Sequence, residues 1–242
     1  CKGLHKMKKR LMALLFTPVI ALASGASVHL DKAPDVQGDK AALQSGARTF
    51  VNYCLNCHGT SFVRYNRLTD LGLTEQQVKE NLMFTAVKTG ETMRIAARPD
   101  EQKIWFGAAP PDLSLVARAR ASEDGSGADW LYTYLRSFYV DEARPTGWNN
   151  TLFANVGMPH VLWQLQGQQV LNKDHHLELA VPGTLTPAEY DKQIGDLVGF
   201  LVWIAEPDAG FRRKIGFGVL AFLVLLFAVA YPLKKAYWKD VK

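Results

Sequence analysis

Apolar residues recur at helical spacing in the stretch Asp39 to Tyr53, where Leu43, Ala47, Phe50 and Val51 share one side; this predicts an amphipathic helix. The same period returns from Pro187 to Ala205 through Tyr190, Ile194, Leu197, Val198, Leu201 and Ile204. A proline sits near the start of that segment and Glu206-Pro207 ends it. The two apolar faces can pack on one another and close a small helical core. Asn81 to Phe84 continues a helical, apolar pattern, which makes Met83 a core residue. Leu177, Leu179 and Val181 alternate, as a short hairpin within residues 161–186 would require. No internal repeat or low-complexity tract interrupts these patterns.

The two ends have a different character. Ile215 to Leu233 is a run of 19 residues without a charge. At ~1.5 Å per residue it spans about 28 Å, close to the ~30 Å of bilayer hydrocarbon. It has no polar face, so a buried core helix fits poorly. Arg212, Arg213 and Lys214 border one end; Lys234, Lys235, Tyr237, Trp238 and Lys239 border the other, as interface anchors do. Only Asp208 to Phe211 link this span to the helix before it. At the other end, Lys8, Lys9 and Arg10 precede an apolar run of 13 residues, Leu11 to Ala23, followed by small residues. That is a secretory signal peptide, with cleavage after Ala23 or after Ala26, rather than an amphipathic terminal helix. Met7 is its natural start, and the preceding CKGLHK resembles upstream translated sequence. Export places the body of the chain outside the cytoplasm and leaves the short tail after Leu233 inside.

Charge follows the same division. The net charge of +5 comes from the ends, because residues 27–211 hold 22 acidic side chains against 16 Lys and Arg. An acidic body between basic, membrane-directed tails excludes nucleic-acid binding as the purpose of the positive charge. Three cysteines are too few for a disulfide scaffold.

Two of those cysteines carry the chemistry. Cys54-Leu55-Asn56-Cys57-His58 is C-x-x-C-H, the attachment sequence of a c-type haem. Residues three apart on a helical turn share a face, so both sulfurs can reach the two vinyl groups of one porphyrin. His58 can then place an imidazole nitrogen on the iron. A thioredoxin-type redox pair would want a βαβ setting, and a zinc site would need a second Cys/His pair at finger spacing; the sequence offers neither. An electron-carrying iron needs a second strong ligand, and a thioether favours the ferrous state. Of the methionines, Met83 belongs to the apolar pattern and Met93 lies in a polar run without rigidity nearby. Met158 stands between Gly157 and Pro159, where the glycine allows close approach and the proline stiffens the loop. Met158 is the preferred axial ligand, with His160 and then His29 as alternatives. His175 and His176 form an adjacent, solvated pair. Haem propionates need cationic partners when partly buried, and Arg118 and Arg120 follow the run Pro110 to Ser114; two solvated arginines on a helix face is the plainer reading. Tyr132, Tyr134, Phe138, Tyr139, Trp148 and Phe153 supply apolar walls.

The combination resembles the cytochrome c1 family, the haem-bearing subunit of the cytochrome bc1 complex (ubiquinol–cytochrome c reductase). The matching pieces are Cys54-x-x-Cys57-His58, Ala109-Pro110-Pro111-Asp112-Leu113-Ser114, Ala119-Arg120, Gly157-Met158-Pro159, and Trp203 to Pro207 leading through Arg212-Arg213-Lys214 into one span. The resemblance implies a mostly α fold: a class I cytochrome c-like helical haem domain with a single C-terminal transmembrane helix. It implies one covalent haem c, with Met158 as the axial methionine, Arg120 near a propionate and Pro111 on the proximal side of the ring. The expected organisation is residues 1–26 as upstream residues and signal peptide, 27–211 as a periplasmic haem domain, 212–234 as the anchor and 235–242 as a cytoplasmic tail in a bacterial inner membrane. The implied partners are cytochrome b, a Rieske iron–sulfur protein that donates electrons and a cytochrome c that accepts them. No catalytic residue is implied, since the cofactor carries the electron. A membrane-anchored cytochrome c serving a terminal oxidase would share the motif and tether, but with a longer linker than the four residues here. A thiol–disulfide enzyme would show reducible thiols and no haem colour, and a five-coordinate gas sensor would gain nothing from Met158-Pro159.

Overall fold

Asp39 starts the first helix by accepting hydrogen bonds from the backbone N–H groups of Ala41 and Ala42, at 2.9 and 3.1 Å. The structure is a computed structural model and describes residues 28–240; the signal peptide expected over residues 1–26 lies outside the described residues. Helix α1 (Lys40–Thr49) passes into a π turn at Phe50–Cys54, closed by a 3.0 Å bond from the Leu55 N–H to the Phe50 carbonyl. The expected helix through Tyr53 is therefore an α segment followed by a π turn. Cys54 is the last residue of that wider turn. Leu43, Ala47, Phe50 and Val51 are all buried, on the face that the period predicts.

Helices α2 (Glu75–Asn81), α3 (Pro99–Phe106), α4 (Val116–Ala119), α5 (Gly127–Arg136), α6 (Trp163–Gln166), α7 (Pro187–Ala205) and α8 (Ala209–Tyr237) follow. Among the described residues, strands pair only in antiparallel twos: β1 (Thr60–Arg64) with β2 (Thr92–Met93), β3 (Phe138–Val140) with β4 (Trp148–Asn150), and β5 (Gly167–Leu171) with β6 (Leu177–Pro182). The last pair is the expected hairpin. The fold is thus mostly helical.

α7 keeps the limits that its pattern predicts. Thr186 and Glu189 form a reciprocal capping box and Pro187 occupies the first turn, a start that is worth about 1 kcal/mol. α1 crosses α7 so closely that a Cβ on Gly46 would lie 2.1 Å from the Asp196 carbonyl oxygen. Phe50 and Phe200 meet across the crossing with ring centres 5.6 Å apart, and Gln193 donates to the Thr49 hydroxyl at 3.0 Å. α5 closes the third side: the Tyr190 hydroxyl donates to the Leu135 carbonyl at 2.9 Å, and Arg136 binds Asp191 and Asp31.

Three expectations change. α2 stops at Asn81, whose side-chain amide bonds back to the Gln77 carbonyl at 2.9 Å, so Met83 packs against the core from a loop rather than a helix. Met93 does not lie in a loose polar run; it is fully buried on β2 opposite Thr60, fixed by the pairing with β1. α8 begins at Ala209, so the link to the span shrinks to Pro207 and Asp208 beyond the Glu206 cap. Arg212 reaches back to Glu206 with bonds of 3.0 and 2.9 Å and fixes this junction. α8 runs for 29 residues in all, with a mean hydropathy of 2.4 over its most apolar window and none of that window buried. An apolar helix with no protein around it suits lipid.

Candidate functional site

The turn that begins in α1 carries through the cysteine motif. The backbone N–H groups of Cys57 and His58 both bond to the Cys54 carbonyl, at 3.1 and 2.8 Å. Neither cysteine is in a disulfide, and both are half-buried. Burial, reinforced by Cys57, pushes the Cys54 thiol up to about 12. A thiol–disulfide enzyme needs the opposite shift, because its thiolate is the nucleophile. Its βαβ setting is also missing among the described residues, where every sheet is an antiparallel pair.

His58 is held from the far side of the chain. Its Nδ1 lies 2.7 Å from the Pro111 carbonyl oxygen. A carbonyl only accepts, so Nδ1 carries the proton and Nε2 keeps a lone pair for a metal. Burial lowers the His58 pKa, outweighing the Pro111 carbonyl and the Asp112 charge that favour the cation. The neutral ring is the form that ligates.

The loop that presents Pro111 is sewn to the segment after the motif. Leu113 N–H bonds to the Gly59 carbonyl at 2.9 Å, Ser61 N–H to Asp112 Oδ2 at 2.7 Å and Phe62 N–H to Ser114 Oγ at 3.1 Å. Asp112 Oδ1 also accepts from the Ser114 N–H at 2.9 Å. Burial would raise the Asp112 pKa, but the hydrogen bonds from Ser114 and Ser61 outweigh it and hold the carboxyl below its ordinary value. Buried Gln102 on α3 donates to the Cys57 carbonyl at 2.9 Å.

Met158 packs against the core, half-buried, and its sulfur accepts a hydrogen bond from the Tyr134 hydroxyl at 3.5 Å. Trp130, one turn earlier on α5, stacks on Tyr134 with centres 4.8 Å apart. The Arg120 guanidinium lies 4.3 Å above Trp130 and 5.8 Å from the Phe153 ring, exposed at the end of this stack. Arg118 points elsewhere and pairs with Glu206.

The alternative ligands are placed differently. His160 is buried with its ring parallel to Phe138 at 4.9 Å and edge-on to Trp148 at 5.1 Å. Burial lowers its pKa to about 4, against the opposing pull of Gln166. His29 lies at the surface beside Asp31, and His175 and His176 occupy the exposed turn between β5 and β6. The sequence marks Tyr134 only as an apolar wall and passes over Gln102. The pattern Asp112-x-Ser114, an Asx turn, is the local signal that could have singled out Asp112.

The sequence pattern of the Cytochrome C1 family matches residues 32–241, nearly the whole of this fold. The chain belongs to the cytochrome c1 family. It is 45% identical over 249 residues to cytochrome c1 of Allochromatium vinosum, covering 97% of this chain and 100% of that one. It is 29% identical over 251 residues to cytochrome c1 of Rhodospirillum rubrum, covering 84% and 83%. A protein named ammonia monooxygenase gamma subunit, from Nitrosomonas europaea, is 48% identical over 239 residues, covering 98% and 100%. Cytochrome c1 proteins carry one covalently bound haem c, and this chain carries the same cofactor. The donors present suit it: two thiols one turn apart, an imidazole with Nε2 unprotonated and a thioether. The function of the family is electron transfer as the haem subunit of a membrane-anchored bc1 assembly.

Proposed function

We propose that Cys54 and Cys57 would hold the haem through thioethers, that His58 Nε2 and Met158 Sδ would donate to its iron, and that Arg120 would pair with a propionate and Pro111 would border the ring on the His58 side. The observation that carries this reading is the His58–Pro111 hydrogen bond, which fixes both the tautomer and the plane of a histidine adjoining the cysteine pair. Bound haem supplies one-electron chemistry. The protein residues do the rest. The Pro111 carbonyl holds the imidazole, the 109–114 loop keeps that carbonyl in place, and Met158 offers a soft donor that favours reduction. Arg120 lacks an acidic partner among the described residues and has its guanidinium over rings instead, which leaves its donors for a propionate.

In this reading the chain takes electrons from a Rieske iron–sulfur protein and passes them to a cytochrome c within ubiquinol–cytochrome c reductase, beside cytochrome b. A signal peptide over residues 1–26 would put residues 27–211 in the periplasm, 212–234 in the inner membrane and 235–242 in the cytoplasm. The acidic balance of the haem domain, 22 acidic residues against 16 basic, steers a basic carrier and favours fast, salt-sensitive encounter. The tied junction at Glu206 supports a docked subunit over a free-swinging shuttle.

A second reading has support in one relative's name, which would seat the same haem beside a monooxygenase. A mild-detergent pull-down on a tag after Lys242, with a reduced-minus-oxidised spectrum, separates them. Co-elution of b-type haem and a Rieske protein is the expected result. A c-type haem that elutes alone, with an oxidase or with monooxygenase subunits would overturn the reductase assignment.

A further inference from the structure

Tyr134 has no part in attaching a haem, yet its hydroxyl spends its hydrogen bond on the one methionine proposed as a ligand. The O–S distance is 3.5 Å, and a thioether has no proton to give, so the phenol donates. The side chain cannot swing away. Its ring is stacked on Trp130 at 4.8 Å, edge-on to Phe138 at 5.2 Å, and 9% exposed. Its own carbonyl is held by the Asn150 side-chain amide at 2.8 Å.

A lone pair shared with a proton donor gives less density to a metal. The ferric state, with the higher charge, depends on that density more than the ferrous state does. We propose that Tyr134 sets the redox potential of this chain, holding the Met158 thioether by a hydrogen bond that weakens its donation and favours the ferrous state. Arg120, stacked over Trp130 at the other end of the same column, adds a positive charge of the same sign of effect. The inference rests on Met158 being an axial ligand.

The test uses the full-length, haem-loaded protein in detergent, with two readouts: midpoint potential and the near-infrared charge-transfer band of a methionine–iron bond. Tyr134→Phe keeps the ring and removes the donor. It is expected to retain the band while the equilibrium constant for reduction falls about fivefold, or roughly 40 mV at 59 mV per tenfold for one electron. Replacing Tyr134 with a fluorotyrosine, a stronger donor of nearly the same shape, is expected to raise the potential. In a Met158→His background, Tyr134→Phe should leave the potential where it was. An unchanged potential in Tyr134→Phe with the band intact overturns the role of Tyr134, as does an equal fall in the Met158→His background. Survival of the band in Met158→Leu would instead remove the ligand assignment itself.

Discussion

His58 and Pro111, 53 positions apart in the chain, meet through a 2.7 Å hydrogen bond from the imidazole Nδ1 to the proline carbonyl. The setting of the His58 ring depends on where that carbonyl sits, and Asp112 ties the loop that carries it. The Asp112 carboxylate accepts from the N–H groups of both Ser61 and Ser114. Asp112→Ala leaves those donors unpaired and is expected to cost about 1–3 kcal/mol of stability. Asp112→Asn, which retains an acceptor, should cost less. Urea denaturation of the haem-loaded protein compares the two.

Asp112 and Asp129 also predict the acid limit of the fold. Burial opposes ionisation of each, but hydrogen bonds win: from Ser114 and Ser61 at Asp112, and from Lys32, Ala33 and Ser126 at Asp129. Both folded pKa values therefore lie below the ordinary 3.8. A depressed carboxyl stabilises above its unfolded pKa, and that contribution is lost as pH falls through the folded value. The urea midpoint is expected to hold from neutrality down toward that ordinary value and to drop below it. Asp129→Asn should lower the plateau and flatten the drop; a slope as steep as the parent's would contradict the assignment.

Met158→Leu should keep the haem covalently attached, since Cys54 and Cys57 are untouched, while the potential falls. Loss of the thioether is expected to shift the equilibrium constant for reduction by at least tenfold, about 59 mV for one electron. Potentiometric titration of the purified variant gives the answer, and an unchanged potential would return the ligand role to another residue.

The α1–α7 crossing admits no side chain at Gly46, where a Cβ would lie 2.1 Å from the Asp196 carbonyl oxygen. Gly46→Ala must push the helices apart and is expected to destabilise by roughly 1–3 kcal/mol. Gly38 has nothing within 4 Å of its Cβ position, so Gly38→Ala should leave the thermal midpoint nearly unchanged.

Spacing along the chain was enough for the local features: the buried faces of α1 and α7, the limits Pro187–Ala205, the β5–β6 hairpin, the cysteine turn and a long apolar helix near the C-terminus. Each is written in spacing within a few turns of chain, where period and side-chain type are enough. Tertiary structure alone decided which groups meet. Met93 looks polar in context but is buried by pairing with β1, and His160, two residues from Met158, is taken up by Phe138 and Trp148. Tyr134 and Met158, 24 positions apart, share a hydrogen bond that no periodicity records. A hydrophobic pattern states which way a residue faces and nothing about its partner. The partner is fixed only when α1 and α5 both pack against α7.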